Sequence, residues 1–380
     1  MHFIVQREQF VQSVQHVNKA VSSRTTIPIL TGIKLNVTFH GITLTGSDSD
    51  ISIESFIPAA DEERELAEIK EEGSIVLQSR FFADIVKKLP GEEIEIFVKD
   101  QFAATVKSGS VVFNLNGLDP EEYPRLPTLE EDQTFSLPQS LLKDMIRQTV
   151  FAVSTQETRP VLTGVNLEAA DGILLCTATD SHRLAMRKAS LETDNESLEI
   201  KNIVVPGKSL NELNKVLEET DELVDIIVTD SQVLFKLERL LFFSRLLDGK
   251  YPVTSTMIPD QFKTKIELSK RDLLQSLERA LLLSREAKNN VVNLKSLDGR
   301  QIEITSVSVE VGKVTERVDC TELDGEELRI SFNGKNLIDA LRVIDSDVIS
   351  IAFTGAMSPF VLKPADHEQM LHLFSPVRTY

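Results

Sequence analysis

The chain states one pattern three times. HFIVQREQFVQSVQHVNKAV opens the sequence, TFSLPQSLLKDMIRQTVFAV stands near residue 135, and KIELSKRDLLQSLERALLL stands near residue 266. Phe3, Phe135 and Ile266 fall in register, as do Phe10, Leu142 and Leu273. The spacing is about 130 residues. Solenoid units repeat every 20–50 residues, so this period is not one of theirs. Each copy is long enough to bury a core of its own. The 380 residues therefore divide into three expected domains, 1–128, 132–259 and 263–380, with polar, proline-marked linkers at 127–134 and 258–264.

Each copy follows the same grammar. A short strand is predicted at 3–5, 135–137 and 266–268, and an amphipathic helix follows it. The apolar stripes are Phe10, Val14, Val17 and Val21; Leu141, Leu142, Met145, Ile146 and Val150; and Leu273, Leu274, Leu277 and Leu281. Spacings of three and four put one helix face on a core. Strands with period-two alternation come next, with Ile33, Leu35, Val37 and Phe39 on one face and a turn at Gly41. The later copies place Asp171-Gly172 and Asp298-Gly299 between apolar runs, a strong hairpin signal. A second helix is marked by Phe81, Phe82, Ile85, Val86 and Leu89, by Leu210, Leu213, Val216 and Leu217, and by Leu337, Ile338, Leu341 and Ile344. The closing segments also match: FNLNGLDPEEYP mirrors FFSRLLDGKYP, and the third copy ends in LHLFSPVRTY. Strand-rich copies with two helices each predict an α+β fold with mostly antiparallel pairing.

Hydrophobic content of 41% is ordinary for a globular protein. Two cysteines, Cys176 and Cys320, cannot build a disulfide framework and read as buried thiols in a reducing compartment. The N-terminus lacks the pattern of a secretory signal, and the greasiest run, Leu240 to Phe243, is broken by Ser244 and Arg245. A cytoplasmic protein is expected. The formal net charge of −18 argues, taken alone, against nucleic acid. Its distribution argues otherwise. The six predicted helical segments (7–21, 79–89, 139–150, 208–219, 269–280 and 334–345) carry net +4, and the remainder carries −22. A helix set that meets a polyanion without reading bases fits this split, and so do ordinary basic helix surfaces.

Four segments carry a resemblance. TDSHRLA (179–185), LLDGKYP (246–252), RTTIPIL (24–30) and the C-terminal SPVRTY resemble the bacterial sliding clamps, the beta subunits of DNA polymerase III, and the likeness runs along the whole chain. It implies three repeated clamp-type domains, each of two helices packed on antiparallel sheets. Two chains would form a head-to-tail homodimeric ring that encircles double-stranded DNA without sequence specificity and acts as a processivity factor in replication. The helices would line the hole, and retention would be topological.

The resemblance also implies partners: the DNA polymerase III alpha subunit, the clamp loader and other proteins carrying clamp-binding peptides. Their pocket would be lined by Leu162, Thr179, Ser181, His182, Arg183, Leu184, Pro252, Met257, Leu373, Phe374, Pro376, Val377 and Arg378. Ser375 falls where the family usually has an apolar residue, and Thr256 where some members have a basic one. DNA contacts would come from Arg24, Gln156 and Arg159 by the same likeness, beside Arg80, Lys87, Lys88, Lys143 and Arg147 on the basic helices. Pro160 and Val161 stand where some members carry tyrosines, which removes a stacking contact. At the dimer contact, Phe113 and Leu115 would meet Leu282 and Leu283. Each of these four could instead be an internal core position.

Other readings are weaker. Asp180, Ser181 and His182 invite a hydrolase reading, but three consecutive residues cannot converge on one point, and Ser181 has no glycine elbow. The sequence holds no GxxxxGK[ST] loop, no HExxH and no clustered metal-ligand spacing, so no enzyme activity, cofactor or metal is expected. The alternatives are a three-domain protein–protein scaffold that does not encircle DNA and an oligomeric enzyme with an unrecognised site.

Overall fold

The computed structural model describes every residue except 23–24, 63, 100–101, 127–132, 192–197, 285–289 and 379–380. Six α-helices lie among the described residues: α1 (Arg7–Asn18), α2 (Ser79–Lys88), α3 (Gln139–Arg147), α4 (Gly207–Asn214), α5 (Lys270–Ser284) and α6 (Gly334–Leu341). Each copy contributes two, and every strand pairing among the described residues is antiparallel. The fold is α+β, with three sheet-rich copies of one domain.

Contacts gather into two compact units, residues 1–140 with 211–246 and residues 141–210 with 247–380. The first holds one thirteen-stranded sheet; the second holds a nine-stranded and a four-stranded sheet. The strands of the central copy explain the division. Its strand Leu240–Arg245 pairs with Ile51–Pro58 of the first copy, while its strand Arg183–Ser190 pairs with Met370–Phe374 of the third. Of the predicted first linker, 127–132 lie outside the described residues, and positions 133 and 134 already belong to the strand Gln133–Pro138.

In the first unit, α1 buries Phe10, Val14 and Val17 against strands of the sheet and against α2, where the Phe10 and Phe82 rings meet edge-on at 6.1 Å. Each such side chain contributes about 1.5–3 kcal/mol of burial. The close approach needs a glycine: a Cβ at Gly46 would stand 2.1 Å from the Val17 carbonyl oxygen. Several predicted stripe members fall elsewhere. Val21 lies beyond the helix, because Lys19 N–H turns back to His16 and Val17 and closes the last turn. Phe81 is 56% exposed, since Phe82 and Val86 already fill the inward face of α2. Val150, Val216 and Leu217 follow α3 and α4 rather than extending them.

Turn chemistry sets the hairpins. Asp171 (φ 52°) and Gly172 (φ 70°) form the two-residue connection that their sequence predicts. In the first copy Thr38 pairs with Gly41, so the turn is Phe39-His40, and Phe39 points to solvent rather than into the core. In the third copy Leu297 pairs with Gln301, which makes a three-residue loop of Asp298, Gly299 and Arg300 with φ of 79° and 59° at its last two residues.

In the second unit, α5 and α6 pack on the third-copy strands through Leu273, Leu277, Leu281, Leu337 and Leu341. Phe332, Phe353, Phe360 and Phe374 form a run of ring contacts at 5.1–5.3 Å beneath them. Asn333 caps α6, its side-chain oxygen accepting from the N–H of Lys335 and Asn336. Cys176 and Cys320 are buried free thiols, and burial pushes their pKa up to about 12 and about 11.

Candidate functional site

The segment TDSHRLA forms a tight turn leading into a strand. Asp180 Oδ1 accepts the backbone N–H of His182 (2.9 Å) and Arg183 (3.0 Å), and Thr179 Oγ1 donates to the Arg183 carbonyl at 2.6 Å. The carboxylate that suggested hydrolysis thus holds backbone, as does the neighbouring Thr179 hydroxyl. Ser181 and His182 are exposed at the tip, with Ser181 at φ 76°. The His182 backbone carbonyl accepts Ser375 N–H at 2.9 Å, which ties the turn to the C-terminal strand.

Beside the turn lie two apolar clusters. One holds Leu162, Val204 and Tyr251, flanked by Val161 and Leu247. The other holds Leu184, Met186, Val361 and Leu373, flanked by Ile258 and others. Leu184 and Leu373 are direct cross-strand partners. Tyr251 joins the first cluster to the turn, its hydroxyl accepting Thr179 N–H at 3.0 Å, and burial raises its pKa. Pro252 is half-buried next to it, and Met257 is 44% exposed in a short 3-10 turn. Pro376 bridges to Phe332, Val377 N–H donates to Ser331 at 2.7 Å, and Arg378 is exposed. Phe374 differs from its expected role. Alternation along its strand turns the ring away from Leu373 and into the third-copy core.

Arg183 braces this region from behind. Its guanidinium donates to Asp180 (3.1 Å), to Asp339 on α6 (2.9 Å) and to the Phe151 carbonyl (2.7 Å), and it lies 5.4 Å above the Phe151 ring. Sequence reasoning missed Tyr251, Phe151 and Asp339. Tyr251 had a signal: its counterpart Tyr123 stands in the mirrored DPEEYP and bonds back to the Gly32 and Thr45 carbonyls. Phe151 and Asp339 had none, because their role comes from a contact with a distant arginine.

The basic candidates behave differently from one another. Arg80, Lys87 and Lys88 are exposed on α2, with Arg80 lying over Phe81 at 5.7 Å. Lys143 is half-buried on α3. Arg147 is held by Asp144 and Asp345, each at 2.8 Å. Burial alone would lower its pKa, but these carboxylates outweigh that and raise it. Its charge is therefore spent inside the chain. Gln156 and Arg159 are exposed in one loop, and Arg24 lies outside the described residues. Counted over the helices as they form, the split persists: eleven basic against seven acidic residues, again net +4.

Phe113, Leu115, Leu282 and Leu283 are not internal core positions. Phe113 is 37% and Leu282 62% exposed; Leu115 and Leu283 are half-buried. The strand Val111–Leu118 pairs fully with Ala103–Ser108 but touches Gly73–Gln78 only at Gly117 and Leu118. Its other edge is open over 111–116 among the described residues. Gly312–Asp319 is likewise an edge strand of the four-stranded sheet, paired among the described residues only with Gln301–Ser308.

Three copies of a two-helix, sheet-rich domain, with a net-basic helix set, define a protein of the clamp class. Matches to known families run the length of the chain: the N-terminal domain of the DNA polymerase III beta subunit over residues 1–127, its central domain over 136–253 and its C-terminal domain over 255–378. A beta sliding clamp of Halalkalibacterium halodurans is 67% identical over 380 residues, with both chains covered in full. The crystal structure of a DNA polymerase sliding clamp from Bacillus subtilis superposes with a TM-score of 0.97 at 54% identity, again over both whole chains. A sliding clamp from Pseudomonas aeruginosa bound to griselimycin gives 0.92 at 29%, with both chains fully covered. The chain belongs to the DNA polymerase III beta subunit family, the beta sliding clamps, and is a processivity factor of DNA replication. That membership favours the replication reading over a scaffold that does not encircle DNA.

Proposed function

We propose that two copies close head to tail into a ring around duplex DNA and tether the replicative polymerase through the groove beside the turn 179–183. The carrying observation is the pair of unlike open edges. One chain offers Val111–Leu118, with Val112 and Phe113 exposed, and also Gly312–Asp319, flanked by Leu282 on α5. Joining the first edge of one copy to the second edge of another satisfies both ladders, covers these side chains and, done twice, leaves neither edge open.

The helices then supply a weak, sequence-independent attraction to phosphates through Arg80, Lys87 and Lys88, with Lys143, Gln156, Arg159 and Arg24 as further contacts. Arg147 contributes less, because Asp144 and Asp345 already hold it. Weak attraction permits sliding; closure prevents escape. The acidic remainder discourages DNA from lying on the outside. The groove takes apolar anchors against Leu162, Leu184 and Leu373, with Met257 as an adaptable wall, and partners reach it by short peptides, among them the polymerase alpha subunit and the clamp loader. The protein itself catalyses nothing in this reading and works in the cytoplasm.

The test is topological. Once loaded, the protein should persist on nicked circular DNA and leave linear DNA rapidly through its ends. Equal lifetimes on the two substrates would remove the encircling mechanism.

A further inference from the structure

The first unit contains a cavity of about 190 Å³, of mixed polar and apolar lining, between α1, the strand Ile51–Pro58 and the segment after α4. Ser13, His16, Ser55, Gln139, Glu218 and Glu222 are among the residues that line it. That volume is below the range of drug-sized pockets and suits a group the size of a side chain.

The repeat supplies an internal template for what fills such a place. Ser55 is the fifth residue of the strand Ile51–Pro58, and its cross-strand partner is Leu240. Arg187 is the fifth residue of the strand Arg183–Ser190, and its partner is Met370. His16 and Gln148 stand at the same register, each the tenth residue counted from the start of α1 or α3. Glu218 and Asp345 each fall four residues past the end of α4 or α6. Four positions around the cavity thus have four counterparts in the second unit.

There the counterparts hold a guanidinium. Arg187 Nε donates to Gln148 Oε1 at 2.7 Å, and Gln148 Nε2 donates to Asp345 at 3.2 Å. Arg187 reaches Asp345 only through Gln148, whereas a second guanidinium, that of Arg147, bonds Asp345 directly at 2.8 Å. In the first unit the matching positions are Ser55 and Gln15, so neither guanidinium is present, while the carboxylate of Glu218 remains. The Ser55 hydroxyl donates to Ser13 at 3.0 Å, its one side-chain partner among the described residues. Gln139 bonds Glu222 and the Glu218 backbone, which fixes that wall. Arg239 also lines the cavity, but its ion pair is with Glu238, at 3.4 Å.

We propose that this cavity binds a guanidinium-bearing ligand, which occupies the place that Arg187 takes in the second unit. Glu218 supplies the opposing carboxylate, and the His16 ring supplies an acceptor as Gln148 does. Burial and the neighbouring Lys19 hold the His16 pKa down to about 4, so the imidazole is neutral and able to accept at neutral pH. A planar fork of N–H donors suits such a wall better than an ammonium does.

The experiment titrates full-length protein with methylguanidinium, N-acetyl-arginine amide and N-acetyl-lysine amide, read by NMR shifts and calorimetry at millimolar concentration. Saturable binding of the two guanidinium probes, with the lysine probe weaker, is the expected result. The arginine probe binding more tightly than methylguanidinium assigns the ligand to a partner's side chain; equal affinity assigns a free small molecule. Ser55→Arg should fill the cavity from within, raise the Tm and abolish binding. Glu218→Gln should weaken binding about tenfold without unfolding the protein, which keeps the test decisive if the arginine variant misfolds. No saturable binding to the wild-type protein, or binding unchanged in both variants, would overturn the proposal. Neither result bears on dimerisation or on peptide docking.

Discussion

His372 shows what a single residue can cost. It is fully buried, and neither ring nitrogen has a hydrogen-bond partner among the described residues. It is the third residue of its strand, where the equivalent strand of the second copy carries Phe242. Its neighbours, Phe151 at 5.6 Å and the charge of Arg183, suit an aromatic hydrocarbon better than an imidazole. Burial, then Arg183, hold its pKa down to about 3. The unfolded chain takes up a proton near pH 6.5, and the folded chain does not until far lower. Stability from this site is therefore complete above pH 6.5 and lost as the pH falls toward 3; His16, held at about 4, acts in the same direction. His372→Phe should stabilise the protein by about 1–3 kcal/mol and flatten the decline of stability between neutral pH and pH 5. Urea unfolding at both pH values checks this. A variant no more stable than wild type at either pH would mean that the ring nitrogens have partners after all.

At the scale of elements, the repeat builds turns more faithfully than it builds sites. The turn before Ile51 copies the turn before Arg183: Asp48 Oδ1 accepts the N–H of Asp50 and Ile51, each at 2.8 Å, and Arg245 N–H bonds Asp50 as Ser375 N–H bonds His182. Yet the first turn stands in a polar hollow lined by Ser49, Ser52 and Gln232, whereas the second borders the Leu184 and Leu373 cluster. In the proposed docking, the neighbours decide and not the turn. Asp180→Ala should loosen the lip of the groove and weaken a polymerase-derived peptide about tenfold in fluorescence anisotropy. Asp48→Ala removes the same kind of cap and should leave peptide affinity unchanged. Equal losses from the two changes would show that the effect is general destabilisation. Strand alternation, hairpins and helix stripes were legible here because they depend on residues a few positions apart. The fate of Phe374 was not, because either face of its strand meets apolar partners.

For the whole molecule, the open edges carry the proposed assembly. Phe113→Asp places a charge where the proposed ring needs an apolar contact and should convert the protein to a monomer at micromolar concentration, with its circular dichroism unchanged because Phe113 is exposed in the single chain. Light scattering measures it. A variant that remains dimeric would move the contact away from this strand. Loss of fold would contradict the exposure of that side chain.

Periodicity within the sequence was sufficient for the three copies, their two helices each and most hairpins, since local geometry repeats wherever local composition repeats; the likeness of segments such as TDSHRLA carried the family. The tertiary structure alone decided the rest. It divided the strands of the central copy between two sheets, paired Arg147 with two carboxylates while leaving Arg80, Lys87 and Lys88 exposed, and put Arg187 where the first copy has only Ser55 and a cavity. Those outcomes depend on partners brought together from up to about 200 residues away, such as Arg147 and Asp345. Spacing along a chain reports which way a side chain faces; only the packed chain determines what it meets there.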